Sequence, residues 1–515
     1  MIARNTVDFR RMITGNRFWY GVEVPTAAGI GAPDSASQLI RLVQEVIDDP
    51  HIGWACITGK AHGSRIVAPD YLLGTLPERA SDRLLSMLSE NRSRIVSTLT
   101  CRDGNRYGLS SSACWRSTVQ GFHNVLAVTG EYPIPEIVRI ACPVFDLDSL
   151  SLISLLRSLN ERHREPGWEK LPRTDLFIGC VVSPFKRHES ELLPQYFKLV
   201  RKILAGAHWV IPQLGYDMRK FNEVKLFLAH NGLDVPVIGN VFVLTREAAR
   251  LFNTGRRPGC VVSDELLELA DRYGAGADKG RKFFHELAAK QLAVFEGLGF
   301  AGGYLGGVSQ AEAFSHIIES AESFGPDDWR DFITEIQFAQ RDEYFLFEHD
   351  PKTALSDATR INPEYSKSPE TPRKSRQVTL GYRLARQVHK RIVLRQKGLF
   401  AAIRRICFHR DKRPGILGRL ACWLEYAFKS IAYGCRDCGN CCLHECAYLC
   451  PVALCPKHSG NGPCDESVDG KCPLDTKPCV WVRVYERLKH YGETKQLLKR
   501  DRVFLAGSTE MYLKE

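Results

Sequence analysis

The sequence predicts an α/β protein: a (β/α)8 TIM barrel over residues 1–320, a helical, basic connecting region over 321–430, and a small cysteine-rich metal-binding domain over 431–515. Three observations predict it. Eight short apolar, β-rich runs alternate with amphipathic stretches before residue 310, at about 30–40 residues per unit, which suits a parallel barrel better than an open doubly wound sheet. Between Arg373 and Arg413 stand 14 Lys or Arg against one acid, Asp411. Ten of the 18 cysteines fall between Cys435 and Cys479. At 515 residues the chain exceeds one ordinary domain, and its 44% hydrophobic and 25% charged residues are those of a globular protein.

Taken in order, the predicted strands are Trp19–Val24, Gly53–Thr58, Arg94–Leu99, Asn124–Thr129, Asp175–Val182, Trp209–Pro212, Pro236–Val243 and Gly299–Leu305. Each is a short run rich in apolar and β-branched residues. Helical periodicity marks Ala36–Ile47, Ala80–Leu88, Ser149–Asn160, Leu192–Leu204, Glu223–His230 and Lys279–Leu298. No GxGxxG follows a strand and no GxxxxGK[ST] loop is present, which argues against a dinucleotide or P-loop fold.

A barrel places its chemistry at the C-terminal ends of its strands. Polar residues end five of the runs: Glu23, Thr58-Gly59, Thr98-Leu99-Thr100-Cys101, Thr129-Gly130-Glu131 and Pro212-Gln213. A carboxylate inside an apolar strand, as at Glu23, is costly unless paired or functional. Singly, Glu131 reads as a turn residue beside Gly130 and Gln213 as a hydrogen-bonded strand end. Together they predict a functional pocket.

The net charge of +11 does not mark a nucleic-acid binder. The Arg373–Arg413 stretch alone carries +14 − 1 = +13, which leaves −2 for the rest. Leu380, Leu384, Val388, Ile392, Leu399 and Ile403 recur through it at helical intervals. This is either a solvated amphipathic helix or a surface that steers an acidic protein. The N-terminus lacks an apolar signal region and no run of about 18 apolar residues occurs, so a cytoplasmic chain without a membrane span is expected. In a reducing compartment the spacing Cys435-x2-Cys438-x2-Cys441 with a later Cys450-Pro451 reads as iron–sulfur ligation, with zinc as the alternative.

These motifs resemble the methylenetetrahydrofolate reductase family, whose members are flavin-containing barrels. The likeness runs through Glu23, Leu99-Thr100-Cys101, Asn124–Gly130 and Lys202–Ala207, then Ile211-Pro212-Gln213 with Asp217. The tail resembles the cysteine-rich C-terminal domain found with such reductases: Tyr448-Leu449-Cys450-Pro451, Cys455-Pro456-Lys457, Asn461-Gly462-Pro463-Cys464, Asp469-Gly470-Lys471-Cys472 and Cys479-Val480-Trp481. The sequence departs from the family's pattern at Glu131 (usually Asp), Pro212 (Thr), Thr98 (His) and Asp465-Glu466 (Gly-Gly).

The resemblance implies interconversion of 5,10-methylenetetrahydrofolate and 5-methyltetrahydrofolate. Glu23 would be the general acid at the departing folate nitrogen, and Glu131 would stabilise positive charge on the substrate. Gln213 would bind the pterin edge. Thr58, Thr100, Gly130, Ser183, Arg201 and Lys202 would hold a flavin, FAD with FMN as the alternative. Cys435, Cys438, Cys441, Cys450, Cys455, Cys464, Cys472 and Cys479 would hold two [4Fe–4S] clusters, or zinc, leaving Cys442 and Cys446 extra. The electron donor would be an acidic carrier, ferredoxin or flavodoxin. A second reading stays open: a non-catalytic folate-binding or methyl-transfer accessory protein with a structural zinc tail.

Overall fold

The computed structural model describes residues 7–26, 33–59, 84, 86–132, 143–161, 173–255, 257, 259–367, 377–393, 416–439, 441–475, 477–500 and 503. Eight parallel strands run β1 (Trp19–Thr26), β2 (Ile52–Gly59), β3 (Ile95–Thr100), β4 (Asn124–Val128), β5 (Phe177–Val182), β6 (Trp209–Pro212), β7 (Ile238–Phe242) and β8 (Gly302–Gly306). They pair in the order β6-β5-β4-β3-β2-β1-β8-β7. The ring closes where Val210 on β6 bridges Val237 just before β7, its N–H donating to the Pro236 carbonyl at 2.9 Å. The fold is therefore the (β/α)8 barrel, and every predicted strand is present with its ends shifted by three residues or fewer.

Helices wrap the outside: α1 (Phe9–Thr14), α2 (Pro33–Asp48), α3 (Arg106–Trp115), α4 (Ser149–Glu161), α5 (Glu189–Leu204), α6 (Met218–His230), α7 (Arg246–Asn253), α8 (Asp264–Gly274), α9 (Arg281–Gly297) and α10 (Ala311–Glu322). Side-chain caps fix several starts: Asn105 accepts from the Gly108 N–H, Asp217 from Lys220 and Ser263 from Leu266. Much of the predicted helix Ala80–Leu88 lies outside the described residues.

The barrel interior is a packed layer, and α1 covers its N-terminal end. Phe9 meets the rings of Trp54 and Trp209 edge-on at 4.9 and 5.2 Å, and Trp54 stacks on Tyr304 at 5.4 Å. Glycines make room for the two indoles, since a Cβ on Gly21 would sit 1.9 Å from Trp54 and one on Gly179 2.2 Å from Trp209. Overpacking a rigid core costs about 1–3 kcal/mol. Gly179→Ala should therefore lower the thermal midpoint by several degrees in a melting scan, and an unchanged midpoint would show that the barrel floor is soft there.

The region after the barrel departs from expectation. Instead of a wholly helical connector, it begins with helix α11 (Trp329–Glu335) and an antiparallel pair, β9 (Phe347–Asp350) and β10 (Leu355–Ile361). The pair packs on α6, where the buried Glu223 carboxylate accepts the N–H groups of Leu346 and Phe347 at 2.6 and 3.2 Å. Farther on, α12 (Leu380–Val388) holds its expected apolar stripe outward: Leu380, Leu384 and Val388 are exposed, and Tyr382 is the residue that buries. Its basic neighbours are partly committed, with Arg386 and Lys390 both on Glu493 at 2.5 and 2.8 Å. Leu399 and Ile403 lie outside the described residues. The tail contributes α13 (Ile416–Tyr433), α14 (Pro451–Leu454) and α15 (Val480–Lys489), with α15 packed on α5 of the barrel. Among the described residues no helix is long and apolar enough to cross a membrane.

Candidate active site

The C-terminal ends of the strands surround a cavity of about 660 Å³, within the range of small-molecule sites. Alternation along each strand decides which side chains reach it, since every second residue of a barrel strand points inward. Glu23 at the end of β1 lines it, and the reason that β8 ends in glycine is visible there: a Cβ on Gly306 would stand 2.5 Å from the Glu23 Oε2. Thr98 and Thr100 enter from β3, Gly130 and Glu131 from the turn after β4, Ser183 after β5, and Gln213 after β6. Gly130 has φ +88°, and a Cβ on it would collide with Thr100 at 2.3 Å, so both conformation and space demand glycine.

Charges of both signs line the walls. Glu131 faces Arg257 at 3.6 Å, and its carbonyl accepts from Arg102 Nη1 at 3.3 Å. Burial raises the Glu131 pKa, opposed by Arg257 and reinforced by Asp465 and Glu466. Lys202 is buried and pushed down to about 8, chiefly by burial, while its Nζ donates to the Val181 carbonyl at 2.6 Å. The Ser183 hydroxyl is buried with no hydrogen-bond partner among the described residues, an unusual cost for a polar group unless a ligand supplies the partner.

The cysteine-rich tail forms part of the same cavity, contributing Pro463, Cys464 and Asp465 to its wall. Helix α5 and the loop before it hold this segment by its backbone. Lys186 Nζ donates to the Asp465 and Ser467 carbonyls at 2.6 and 2.8 Å, Gln195 to Cys464 at 2.5 Å, and Lys198 to Pro463 at 3.1 Å. Below them the N-cap of α4, Asp148, accepts from Asn461 N–H at 2.9 Å and Ser459 Oγ at 3.3 Å. From the tail side, buried Lys457 donates to the Gly130 carbonyl at 2.7 Å and pairs with Glu466 at 2.9 Å, while Glu466 takes the Tyr132 N–H at 3.0 Å.

Comparison with known proteins now has a geometry to attach to. Residues 73–270 match the methylenetetrahydrofolate reductase family, and residues 418–503 match the family described as methylene-tetrahydrofolate reductase C terminal. The chain carries a methylenetetrahydrofolate reductase family barrel joined to that C-terminal domain. No curated protein matches the chain. A similar solved structure is an uncharacterized protein from Clostridium thermocellum that binds two copies of 5-methyl-5,6,7,8-tetrahydrofolic acid. It is 13% identical, covers 61% of this chain and 96% of that one, and has a TM-score of 0.41, too distant to transfer its ligand.

Within this reductase-family barrel, the structure brings Glu23, Glu131, Gln213, Thr100, Gly130, Ser183 and Lys202 to one cavity. Thr58 lies on β2, with its side chain outside the described residues. Arg201 is buried against the tail, donating through Nη1 to the Asn461 carbonyl at 2.7 Å, and is not among the residues that line the cavity. Asp217 caps α6 and is likewise structural. Arg102, Arg257 and Asp465 also line the cavity and were passed over as candidates.

The sixteen described cysteines are all free thiols. Electrostatic contacts group several of those in the C-terminal domain. Cys455 lies within electrostatic reach of Cys464, Cys472 and Cys479. Cys450 is coupled in the same way to Cys438 and Cys442, while Cys435 and Cys441 flank Lys429. Burial pushes the thiols of Cys450, Cys455, Cys472 and Cys479 up, and backbone N–H groups two to four residues onward point at their sulfurs and oppose that shift in part. Among the described residues no three His, Cys, Asp or Glu side chains converge where one ion would sit. Thiols at these positions are the sulfur donors that either an iron–sulfur cluster or a zinc ion would take. Cys442 and Cys446 are buried and hydrogen-bonded to each other.

Proposed function

We propose that this chain is a flavin-dependent oxidoreductase that interconverts 5,10-methylenetetrahydrofolate and 5-methyltetrahydrofolate, with electrons relayed through C-terminal [4Fe–4S] clusters. The observation that carries the reading is the meeting of Glu23, Glu131, Gln213 and the tail's Cys464 around one cavity. Bound there, FAD or FMN would supply hydride exchange with the substrate carbon. Thr100, Gly130, Ser183 and Lys202 line the cavity and would hold it, and the unpartnered Ser183 hydroxyl offers one hydrogen bond.

Glu23 carries the proton. Its carboxyl oxygen beside Gly306 would protonate the folate nitrogen from which the bridging carbon departs, and take the proton back in the reverse direction. Glu131, with Arg257 at its side, places negative charge where the substrate's positive charge develops. Cys455, Cys464, Cys472 and Cys479 would hold the cluster next to the cavity, and Cys435, Cys438, Cys441 and Cys450 the outer one. The exposed Arg383 and Arg391 leave room for an acidic carrier such as ferredoxin or flavodoxin in the cytoplasm.

Anaerobically purified protein should contain flavin and about eight irons per chain, two four-iron clusters. It should oxidise 5-methyltetrahydrofolate with a viologen dye as acceptor. Colourless protein that binds zinc but no iron and gives no turnover would overturn the reading.

A further inference from the structure

We propose that Asp465, a residue of the cysteine-rich domain, belongs to the barrel's substrate site and that it reads the 2-amino-4-oxo edge of a reduced pterin together with Gln213. This rests on the folate reading above and assigns a residue outside the barrel to substrate specificity.

Asp465 lines the cavity, and its backbone is fixed by Lys186 at 2.6 Å, so the side chain is presented from an anchored segment. Its Oδ2 accepts from Gln213 Nε2 at 3.5 Å. Gln213 Oε1 already accepts the Leu214 N–H at 3.0 Å, which fixes the amide's orientation and turns its donor end toward Asp465. The loop glycine Gly259, at φ +87°, backs this pair: a Cβ there would lie 3.0 Å from Asp465 Oδ2 and 3.2 Å from Gln213 Nε2. The two side chains therefore sit side by side against backbone, with the cavity in front of them.

Their hydrogen-bonding capacity is specific. A carboxylate offers acceptors only and the free end of Gln213 offers donors. A 2-amino-4-oxo pyrimidine ring presents the complement in order: the amino N–H, the ring N–H and the carbonyl oxygen. Gln213 alone would meet this edge poorly, because its oxygen is engaged by Leu214. The other cavity acids are differently placed, Glu131 beside Arg257 and Glu23 against Gly306. The 3.5 Å separation of Asp465 and Gln213 makes their mutual bond weak, so a ligand displaces little on entering.

The test titrates full-length, anaerobically purified protein with two probes, 5-methyltetrahydrofolate and its 2-desamino analogue, for wild type and Asp465→Asn. Wild type should prefer the amino compound, and Asp465→Asn should weaken its binding about 10- to 100-fold while changing the analogue by less than about threefold. Asp465 adjoins Cys464, so the ratio of the two affinities, taken within one preparation, is the deciding quantity: any general loss of tail structure cancels in it. An unchanged ratio in a wild type that binds 5-methyltetrahydrofolate overturns the role of Asp465 and leaves the proposed function standing. A wild type that binds neither probe overturns both. Guanosine carries the same edge, and binding tighter than the folate would overturn the assignment to a pterin.

Discussion

On the proposed function, Glu23→Gln should keep the barrel folded and able to bind flavin, yet slow turnover of 5-methyltetrahydrofolate by about 10²–10⁴-fold, the usual contribution of a general acid. The amide has the size and shape of the carboxyl and will fit the same gap beside Gly306, where the Oε2 stands 2.5 Å from a hypothetical Cβ. It can accept and donate hydrogen bonds but cannot release a proton to a departing nitrogen. Gly306→Ala tests the same point by displacement: the new methyl must push the carboxylate off its position, so turnover should fall with Glu23 chemically intact. Single-turnover rates at saturating substrate separate these effects from binding. A loss smaller than about tenfold in Glu23→Gln would move the acid's role to another residue, with Glu131 the next to examine.

Much of this site was readable because barrel strands obey simple geometry. The Trp209–Pro212 run was found with its bounds intact, since four apolar residues between turns admit few other structures. Their places at the ends of those runs then put Glu23, Thr100 and Gln213 around one cavity. Helix α3 was missed because its start is carried by the cap at Asn105 more than by apolar periodicity, whereas α8 has an apolar face through Leu266 and Ala270 and was passed over. The antiparallel pair β9–β10 was missed because Glu348, His349, Asp357 and Arg360 make it too polar to read as strand. On α12 the periodic leucines marked a helix that is present, but periodicity does not report which face a neighbour covers, and here the Tyr382 side buries against Arg487.

The insertion of the tail into the barrel mouth was beyond sequence reasoning for a different reason. The contact between Asp148 and Asn461 spans 313 residues, and nothing local announces it. Arg201 shows the consequence. The resemblance implies a flavin contact for this residue of the last turn of α5, and in the fold its guanidinium donates to the tail's backbone. The Asp465-Glu466 departure was visible in the sequence, but its meaning depended on where the tail lands.

That docking rests on Asp148, and its removal should have the largest effect on stability. The carboxylate is buried and accepts hydrogen bonds from Leu150 and Ser151 in its own helix and from Ser459 and Asn461 in the tail, with Lys198 Nζ at 3.7 Å. Burial alone would raise its pKa, but Lys198 and these donors prevail and hold it at about 2, below the ordinary 3.8. A depressed carboxyl stabilises the fold at neutral pH, by about 2 kcal/mol for a shift of this size, and the contribution fades as pH falls from about 4 toward 2. Asp148→Ala goes further, because it strands the buried Lys198 without a counter-charge, a loss of about 3–5 kcal/mol. The expected result is a large drop in the unfolding midpoint, with limited proteolysis releasing the C-terminal domain from an otherwise folded barrel. Ser151→Ala, which removes one hydroxyl from the same cluster and leaves the charge pair, should be far milder. If Asp148→Ala shifted stability by less than about 1 kcal/mol and left the cleavage pattern unchanged, the tail would be held by α15 on α5 instead, and the cavity wall formed by Cys464 and Asp465 would owe nothing to this cluster.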